Sequence, residues 1–303
     1  MELAWCGFNN RRSTAFNVEI RSEMKISLLT DAPKHNLALM KLSAYHKKIG
    51  DSVLLNMSII PADYTYASVL FEKNIKEFIA NEYGGPAFSQ HKPLRPEIEC
   101  GFPDYGLYPD NDFSLGYTFR PCFRRCSFCK VDIMERGDMR HHSINTFVNP
   151  NYKKIRLLNN NTFMDRRWRE TFQEIWDADL TVIDENGYDL RLLDMEKADA
   201  LKRTKFQGMI HFAWDRMEDE KEILCGLSLL KQYKIKGHIY VLIGYDTTIE
   251  EDLYRCQKLV DFGQDPYIMP FKRTDHNKRF KRFFDTFMWR KYSTIEEAWN
   301  NYV

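Results

Sequence analysis

The second half of this chain alternates between short apolar runs and amphipathic segments, and this alternation constrains the fold more than any other feature. Between the apolar runs lie segments with helical periodicity, including 166–177, 218–233 and 249–261. Strands joined by helices run parallel, because a parallel pair needs a crossover connection. The sequence therefore predicts an α/β fold with a partial (βα)6 barrel over residues 113–275. Its six predicted strands are 114–119, 153–158, 180–184, 209–214, 238–243 and 266–271.

Two local signals mark where helices of this array begin. Asp194 stands directly before a helical segment at 195–203, where its carboxylate is suited to accept from a free backbone amide. Thr248 and Glu251 have the spacing of a capping box at the start of 249–261. We expect both caps to be present in the folded chain.

A smaller unit precedes the array. Residues 24–30 are strand-like, 52–57 and 66–71 are further apolar runs, and a short helical stretch lies near 74–81. Between the runs 24–30 and 52–57, apolar residues recur with the spacing of one helix face: Ala38, Leu42, Tyr45 and Ile49. This pattern predicts a small Rossmann-like domain over 24–83, with two or three strands. The unit lacks a G-x-G-x-x-G turn and therefore a dinucleotide fingerprint.

The remaining segments are predicted to be peripheral. Residues 1–23 show no clear period and are interpreted as an extension, whereas the Pro- and Gly-rich stretch 84–112 is interpreted as a linker. At 276–303 we expect a basic amphipathic helix, helical over 276–290, with one aromatic face directed inward. Four phenylalanines define that face: Phe280, Phe283, Phe284 and Phe287.

Composition limits the class of protein. The chain has 44 basic and 43 acidic residues, so a formal charge of +1 provides no global attraction to nucleic acid or anionic membranes. No apolar run approaches the 18 or so residues of a membrane span, and the N-terminus lacks the apolar region of a secretory signal. Seven cysteines, three of them clustered, argue against a disulfide scaffold. The sequence predicts a cytoplasmic protein that does not associate with membranes.

The three clustered cysteines follow the first strand of the array. Within RPCFRRCSFCK at 120–130, Cys122, Cys126 and Cys129 have the spacing C-x3-C-x2-C. This places them at the carboxyl end of a strand, where barrels build active sites. Soft sulfur ligands select zinc or iron–sulfur clusters.

The number of cysteines leaves two interpretations open. A structural zinc ion needs four ligands, and His141 or His142 is available as the fourth. An iron–sulfur cubane held by three cysteines keeps one iron free for an added ligand. The neighbouring Arg124, Arg125 and Lys130 are expected to keep the thiolates ionised.

This motif, at the start of six βα units, resembles the radical S-adenosylmethionine superfamily over residues 114–271. The resemblance implies a [4Fe-4S] cluster on Cys122, Cys126 and Cys129, whose open iron binds S-adenosylmethionine. It also implies reductive cleavage to a 5′-deoxyadenosyl radical that modifies a substrate, with electrons from a donor such as flavodoxin or ferredoxin. The cofactors supply that chemistry, and the protein positions them.

The resemblance further implies cofactor contacts at the ends of the other strands. Asn159–Asn161 depart from the family pattern, which often has an acidic residue there, whereas the later segments match parts of it more closely. The residues implied to contact S-adenosylmethionine are Phe128, Asn159, Asn160, Asn161, Asp189, Arg191, Asp215, Gly244, Tyr245, Met269 and Pro270.

The N-terminal unit and linker are similar in layout to B12-binding members of the superfamily, and in particular to uncharacterised members from bacteria and their phages. The D-x-H-x-x-G cobalamin signature is absent, because Asp31 and His35 have a different spacing and no glycine follows. We therefore expect a degenerate domain that does not bind cobalamin.

The substrate is not encoded in a recognisable motif. An open six-unit barrel has a wide mouth, so a nucleic acid or a peptide is slightly preferred over a small molecule. Two alternatives to the enzyme remain at this point. One is a zinc-stabilised adaptor for nucleic acid or protein, and the other is a subunit that binds the cluster and S-adenosylmethionine without turnover.

Overall fold

The N-terminal unit is a four-stranded parallel sheet in the order β2-β1-β3-β4. The computed structural model describes residues 22–88, 93–135 and 139–302. Helix α1 (Leu37–Lys48) connects the first two strands, and its N-cap Asn36 accepts from the Leu39 amide. The strands are β1 (Lys25–Thr30), β2 (Ser52–Leu55), β3 (Tyr64–Ser68) and β4 (Glu82–Gly84).

This unit differs from the prediction in three details. It has four strands rather than two or three, and the strand predicted from Tyr66 begins at Tyr64. The stretch predicted as helical near 74–81 is a 3-10 helix at Glu72–Glu77. Short polar strands such as β4 have too few apolar residues for periodicity to reveal them.

The predicted linker packs between the two units. It contains helix α2 (Pro96–Glu99), and Tyr105 and Tyr108 pack with Met40 of α1 and Phe113 of the second unit. The predicted linker start at residue 84 is the last residue of β4. Residues 1–21 of the predicted extension, 89–92 of the linker and residue 303 lie outside the described residues.

The second unit contains all six predicted strands, so the predicted α/β class with parallel sheets is confirmed. Its two parallel sheets have the orders β5-β6-β7-β8 and β11-β10-β9. A parallel bridge between Tyr188 and Phe212 joins them, so the strands form one open series. The strands are β5 (Phe113–Gly116), β6 (Lys154–Leu157), β7 (Thr181–Asp184), β8 (Lys205–Phe206), β9 (Ile210–Ala213), β10 (Gly237–Ile243) and β11 (Asp265–Pro270).

Helices connect these strands, and both predicted caps are confirmed. Asp194 accepts from the Lys197 amide at 2.8 Å, and Thr248 forms a capping box with Glu251. The remaining helices are α3 (Val131–Met134), α4 (Trp168–Asp177), α5 (Met195–Arg203), α6 (Glu220–Gln232), α7 (Ile249–Asp261), α8 (Asp275–Asp285) and α9 (Ile295–Asn300).

The largest core lies between the second sheet and its helices. Ile239 and Val241 of β10 are fully buried, as are Cys256 and Leu259 of α7, and these side chains belong to one cluster. Burying an aliphatic side chain contributes about 1.5–3 kcal/mol. Because strand side chains alternate, the opposite face of β9–β11 is free to carry different residues.

The C-terminal helix is shorter than predicted. Helix α8 ends at Asp285, and Phe287 has a left-handed backbone (φ 54°) and is 52% exposed. Phe280, Phe283 and Phe284 are buried as expected. The prediction that Phe287 completes the buried face is wrong, because the backbone reverses before that position; α9 follows instead.

Candidate functional site

The three clustered cysteines lie on the loop between β5 and α3. Cys122 and Cys126 are partly buried, Cys129 is exposed, and the Cys129 amide donates to the Cys126 carbonyl at 2.9 Å. Arg125 adopts a left-handed backbone (φ 49°), which lets the loop reverse between the first and second cysteines. All three thiols are free. The loop therefore presents three sulfur ligands at the carboxyl end of β5.

The surrounding protein does not activate the thiols of Cys126 and Cys129. Burial raises the pKa of the Cys126 thiol, with Cys129 and Cys122 adding to this effect and Arg191 opposing it. Burial also raises the pKa of the Cys129 thiol, which the charge of Cys122 raises further. Ionised thiolates at this site require a bound metal centre, which deprotonates its sulfur ligands.

The basic residues of the loop are paired with carboxylates elsewhere. Arg124 Nε donates to Asp189 at 2.9 Å, Arg125 lies 3.5 Å from Asp132, and Lys130 pairs with Glu72. The expectation that these three cations keep the thiolates ionised is therefore wrong. Each positive charge is compensated by a neighbouring carboxylate that local sequence does not reveal.

The three asparagines after β6 have different environments. Asn159 is buried and accepts from the Thr118 and Phe119 amides, so it holds the start of the cysteine loop. Asn160 Nδ2 donates to the Arg120 carbonyl at 2.6 Å. These two residues support the loop.

Asn161 is the asparagine that faces the cysteines. Its Nδ2 lies 3.1 Å from Asp189 Oδ2 and 3.9 Å from Cys122 Sγ. Within the described part of the chain its buried Oδ1 has no hydrogen-bond partner. An unpaired buried acceptor is costly, at about 1–3 kcal/mol, so this oxygen fits a donor supplied by a ligand.

Asp189 and Arg191 form an ion-pair network beside this loop. Burial alone would raise the pKa of Asp189, but hydrogen bonds and charge from Arg191 and Arg124 outweigh it and hold that pKa below its ordinary value. Arg191 also donates to Asp219 at 2.8 Å. The network ties the β7–α5 connection to the cysteine loop across 65 residues of sequence.

Asp215 follows β9 and is electrostatically coupled to the same site. Burial raises the pKa of Asp215 to about 6, against the opposing charges of Arg255 and Arg191. Its charge in turn raises the pKa values of Cys126 and Cys129. Asp215 therefore belongs to the polar surroundings of the cysteines, together with Asn161, Asp189 and Arg191.

The ends of β10 and β11 contribute an aromatic bridge. Phe128 of the cysteine loop lies 5.5 Å from Tyr245 between ring centroids, and Tyr245 lies 4.7 Å from Phe271. Met269 is 45% exposed and precedes the partly buried Pro270. The structure thus brings Phe128 and Tyr245 into contact and leaves Met269 accessible.

Gly244 has a structural reason to be glycine. Its backbone is left-handed (φ +70°), and an added Cβ would lie 2.2 Å from Asn277 Nδ2 of α8. The close approach of α8 requires this glycine whether or not a cofactor contacts its backbone.

A cleft of about 780 Å³ between the N-terminal sheet and the second unit reaches this loop. The N-terminal side contributes Asn36, Ser68 and Gly85, and the other side contributes Arg120 and Asn160. Since Asn160 is bonded to the Arg120 carbonyl, two residues before Cys122, the cleft opens beside the candidate metal centre.

Three cysteines match the ligand number of a [4Fe-4S] cluster with one open iron, whereas a structural zinc ion needs a fourth ligand. No group of three or more His, Cys, Asp or Glu side chains within residues 22–88, 93–135 and 139–302 is arranged around one ion. A single zinc needs every sulfur about 2.3 Å from one point, whereas the ligands of a cubane bind separate irons and stand farther apart. His141 Nδ1 is bonded to Asp165 Oδ2 at 2.6 Å, and its buried Nε2 has no hydrogen-bond partner within the described residues. His141 therefore keeps a ring nitrogen that could bind zinc, but the described side chains hold no single-ion arrangement.

Two residues of this region have roles that were not predicted from the sequence. Arg124 matters through Asp189, and Arg255 of α7 is fully buried with its guanidinium bonded to the Trp214 carbonyl. A charged residue at a position with apolar helical periodicity is a signal that points to Arg255, because buried charges are almost always paired. Nothing in the sequence near Arg124 identifies its partner.

We expect Asp215→Asn to stabilise the cluster-free protein at neutral pH. The native pKa of Asp215, about 6, lies above its ordinary 3.8, so native protein binds more protons than unfolded protein between these values. The unfolding free energy of wild type therefore falls as pH rises from 4 to 6. One pKa unit corresponds to about 1.4 kcal/mol, so the variant should gain roughly 1–3 kcal/mol at pH 7.5.

Urea unfolding at pH 7.5 and pH 4 measures this difference, which should shrink toward zero at the lower pH. The exposed Asp199→Asn serves as the matched control and should behave like wild type at both. A variant that is less stable than wild type at pH 7.5 would contradict the burial of an unfavourable charge.

The architecture is a mixed α/β fold with parallel βα units, and the three cysteines lie at the carboxyl end of its strand β5. Two solved structures with this fold are those of the radical S-adenosylmethionine methyltransferase TsrM from Kitasatospora setae. One, with cobalamin and a [4Fe-4S] cluster bound, has a TM-score of 0.56 and 11% identity, and the match covers 82% of this chain and 75% of that one. The other, with tryptophan substrate and the S-adenosylmethionine analogue aza-SAM bound, has a TM-score of 0.58 and 11% identity, covering 80% and 72%.

At this identity the likeness concerns the fold. No family model matches the chain, and no curated protein matches it. No helix within the described residues is long and apolar enough to cross a membrane.

Proposed function

We propose that this protein is a radical S-adenosylmethionine enzyme whose [4Fe-4S] cluster is held by Cys122, Cys126 and Cys129. The observation that carries the proposal is the group of three mutually interacting free thiols at the carboxyl end of β5, with the unpaired Asn161 oxygen beside Cys122. The fold shared with TsrM supports it.

When bound, the cluster and S-adenosylmethionine together supply a one-electron reductive cleavage that generates a 5′-deoxyadenosyl radical. The protein provides the thiol ligands and the polar groups around them. Asn161 Oδ1 offers an acceptor for the amino group of S-adenosylmethionine, and Arg191 offers a guanidinium near Cys126 for its carboxylate. The accessible Met269 and the Phe128–Tyr245 pair offer apolar contacts for the adenosyl group.

The proposal leaves cobalamin out, because the cobalamin signature is absent from the N-terminal unit. The Asp31 carboxylate accepts from the Leu70 and Phe71 amides, so it is not positioned to orient His35. The His35 ring instead lies edge-on against Phe113, at 5.8 Å. TsrM has been solved with cobalamin, and no step of the reaction proposed here passes through cobalamin.

An electron donor such as flavodoxin or ferredoxin is part of the proposal, because the cluster must be reduced before each cleavage. The enzyme is proposed to act in the cytoplasm, where reduced thiols and such donors are available.

The experiment that tests the function is anaerobic reconstitution of the full chain with iron and sulfide. We expect about four irons per chain, and release of 5′-deoxyadenosine and methionine after addition of dithionite and S-adenosylmethionine. Stoichiometric zinc without inorganic sulfide would overturn the proposal in favour of a zinc-stabilised adaptor. A cluster that binds S-adenosylmethionine without cleavage would instead identify a subunit that lacks turnover.

A further inference from the structure

The face of β9–β11 opposite the helices carries four polar rings. The other face of these strands packs against the helices, where these side chains are at most 1% exposed: Phe212, Ile239 and Ile268. The inner positions of parallel barrels are dominated by Val, Ile and Leu, so core packing does not account for polar rings there. We call these four partly or fully exposed residues the ring surface: His211, His238, Tyr240 and Tyr267.

The ring surface is continuous because its members are neighbours in the strand register. His211 pairs with His238, and Tyr240 pairs with Tyr267 one row nearer the carboxyl end. The His211 and Tyr240 rings stack at 5.2 Å with 6° between their planes, and the Tyr240 and Tyr267 rings meet edge-on at 5.3 Å. Beside Tyr240 in the register stands Ala213, whose small side chain leaves space above the rings.

The electrostatics of the ring surface favour a ligand without negative charge. Asp184 Oδ2 lies 3.3 Å from His211 Nδ1, and its side chain is only 7% exposed. Burial raises the pKa of the Tyr240 hydroxyl, and the charges of Asp184, Tyr267 and Glu185 add to this effect. Burial, with the charge of His211, lowers the pKa of His238, so its imidazole is neutral at pH 7.5. Two cations lie nearby, and both are paired: Arg156 with Glu185, and Lys281, 4.5 Å from the Tyr267 ring centroid, with Asp285. The surface therefore offers ring faces and hydrogen-bonding edges, with the charge of Asp184 disfavouring a phosphate beside Tyr240.

The ring surface lies directly below the candidate cofactor contacts on the same strands. Tyr267 precedes Met269 by two residues and Tyr240 precedes Gly244 by four, which corresponds to about 7 and 13 Å along a strand. A molecule on the ring surface is therefore within reach of a group held at the carboxyl ends of β10 and β11.

We infer that the ring surface binds the substrate, and that the substrate is a planar heteroaromatic small molecule with an N–H donor and no phosphate group. The inference rests on the proposed function and names its substrate class. Stacked aromatic rings bind flat rings face to face, and the Tyr hydroxyls and His nitrogens accept from an N–H edge. This class replaces the preference for a nucleic acid, whose phosphates would approach the charge of Asp184.

The test is a titration of the full chain without its cluster, with benzimidazole as the probe and ligand-observed NMR as the readout. Tyr240→Leu should weaken binding about tenfold, because a stacking partner is lost, whereas Tyr240→Phe should stay within about threefold. The matched control is Tyr254→Leu on the outer surface of α7, where Tyr254 is 39% exposed, and its affinity should equal that of wild type.

Two related probes test the chemistry. 1-Methylbenzimidazole lacks the N–H donor, and benzimidazole-5-carboxylate adds a negative charge, so both should bind more weakly than benzimidazole. Unchanged affinity in Tyr240→Leu, or tighter binding of the carboxylate, would overturn the inference. Should Tyr240→Leu fail to fold by circular dichroism, Tyr267→Leu on the exposed neighbouring ring makes the same test.

The outcome is separable from that of the proposed function. The titration needs no cluster, so probe binding that depends on Tyr240 stands even where reconstitution fails. Conversely, a protein that cleaves S-adenosylmethionine but binds none of these probes refutes the substrate class alone.

Discussion

Cys122→Ala is expected to abolish the iron–sulfur cluster and reduce 5′-deoxyadenosine release to background. Two remaining thiols leave two of the four irons without a protein ligand, one more than in the intact site, so the iron content should fall from about four per chain to near zero. The change removes only a partly buried sulfur atom, so the fold should persist. Iron and sulfide analysis, visible absorbance and product chromatography after anaerobic reconstitution measure the effect.

The matched control for this variant is Cys225→Ala. Cys225 is a free, exposed thiol on α6, so its loss should change neither iron content nor product release. Full cluster content in Cys122→Ala would refute the assignment of this cysteine as a ligand. Equal losses in both variants would indicate nonspecific iron binding to thiols.

Arg255→Met is expected to lower the free energy of unfolding by about 3–5 kcal/mol, because it removes one partner of a buried ion pair. Arg255 is fully buried and donates to the Trp214 carbonyl at 2.6 Å, the Leu242 carbonyl at 2.7 Å and Asp252 Oδ1 at 2.5 Å. Without the guanidinium, a buried carboxylate and two carbonyls lose their donor. Urea unfolding of the cluster-free protein at pH 7.5 measures the loss.

Arg282→Met is the matched control, since Arg282 is exposed on α8 and its replacement should change stability by less than about 0.5 kcal/mol. Arg255→Met should also raise the pKa of Asp215 further, because the charge of Arg255 counteracts the effect of burial on that pKa. A change below 1 kcal/mol, close to that of the control, would show that the pair is replaceable by an apolar side chain.

Six of the seven strands of the second unit were predictable because their apolar residues follow the pattern of burial; the two-residue strand β8 is too short to show one. Helix α7 begins and ends at the predicted residues, since Thr248 and Glu251 provide a local start signal. Helix α8 stopped short of its prediction because the phenylalanine spacing continues past the point where the backbone at Phe287 turns left-handed. Spacing alone does not register such a reversal.

The charges of the candidate site were not predictable in the same way. The basic side chains around the cysteines suggested activated thiolates, but Arg124 is paired with Asp189, 65 residues away. Burial then determines the direction in which the thiol pKa values move. The ring surface also escaped notice, because His211 and Tyr240 lie on different strands and each is an ordinary strand residue in isolation.

By itself the sequence determined the six longer strands of the array, the helices between them and that three cysteines follow the first strand, since periodicity and spacing are properties of neighbouring residues. The tertiary structure alone decided which carboxylate meets which cation, how far each thiol is buried and which rings stack. Those quantities depend on side chains brought together from separate strands, where the free energy of a charge or a ring is set by its surroundings in space.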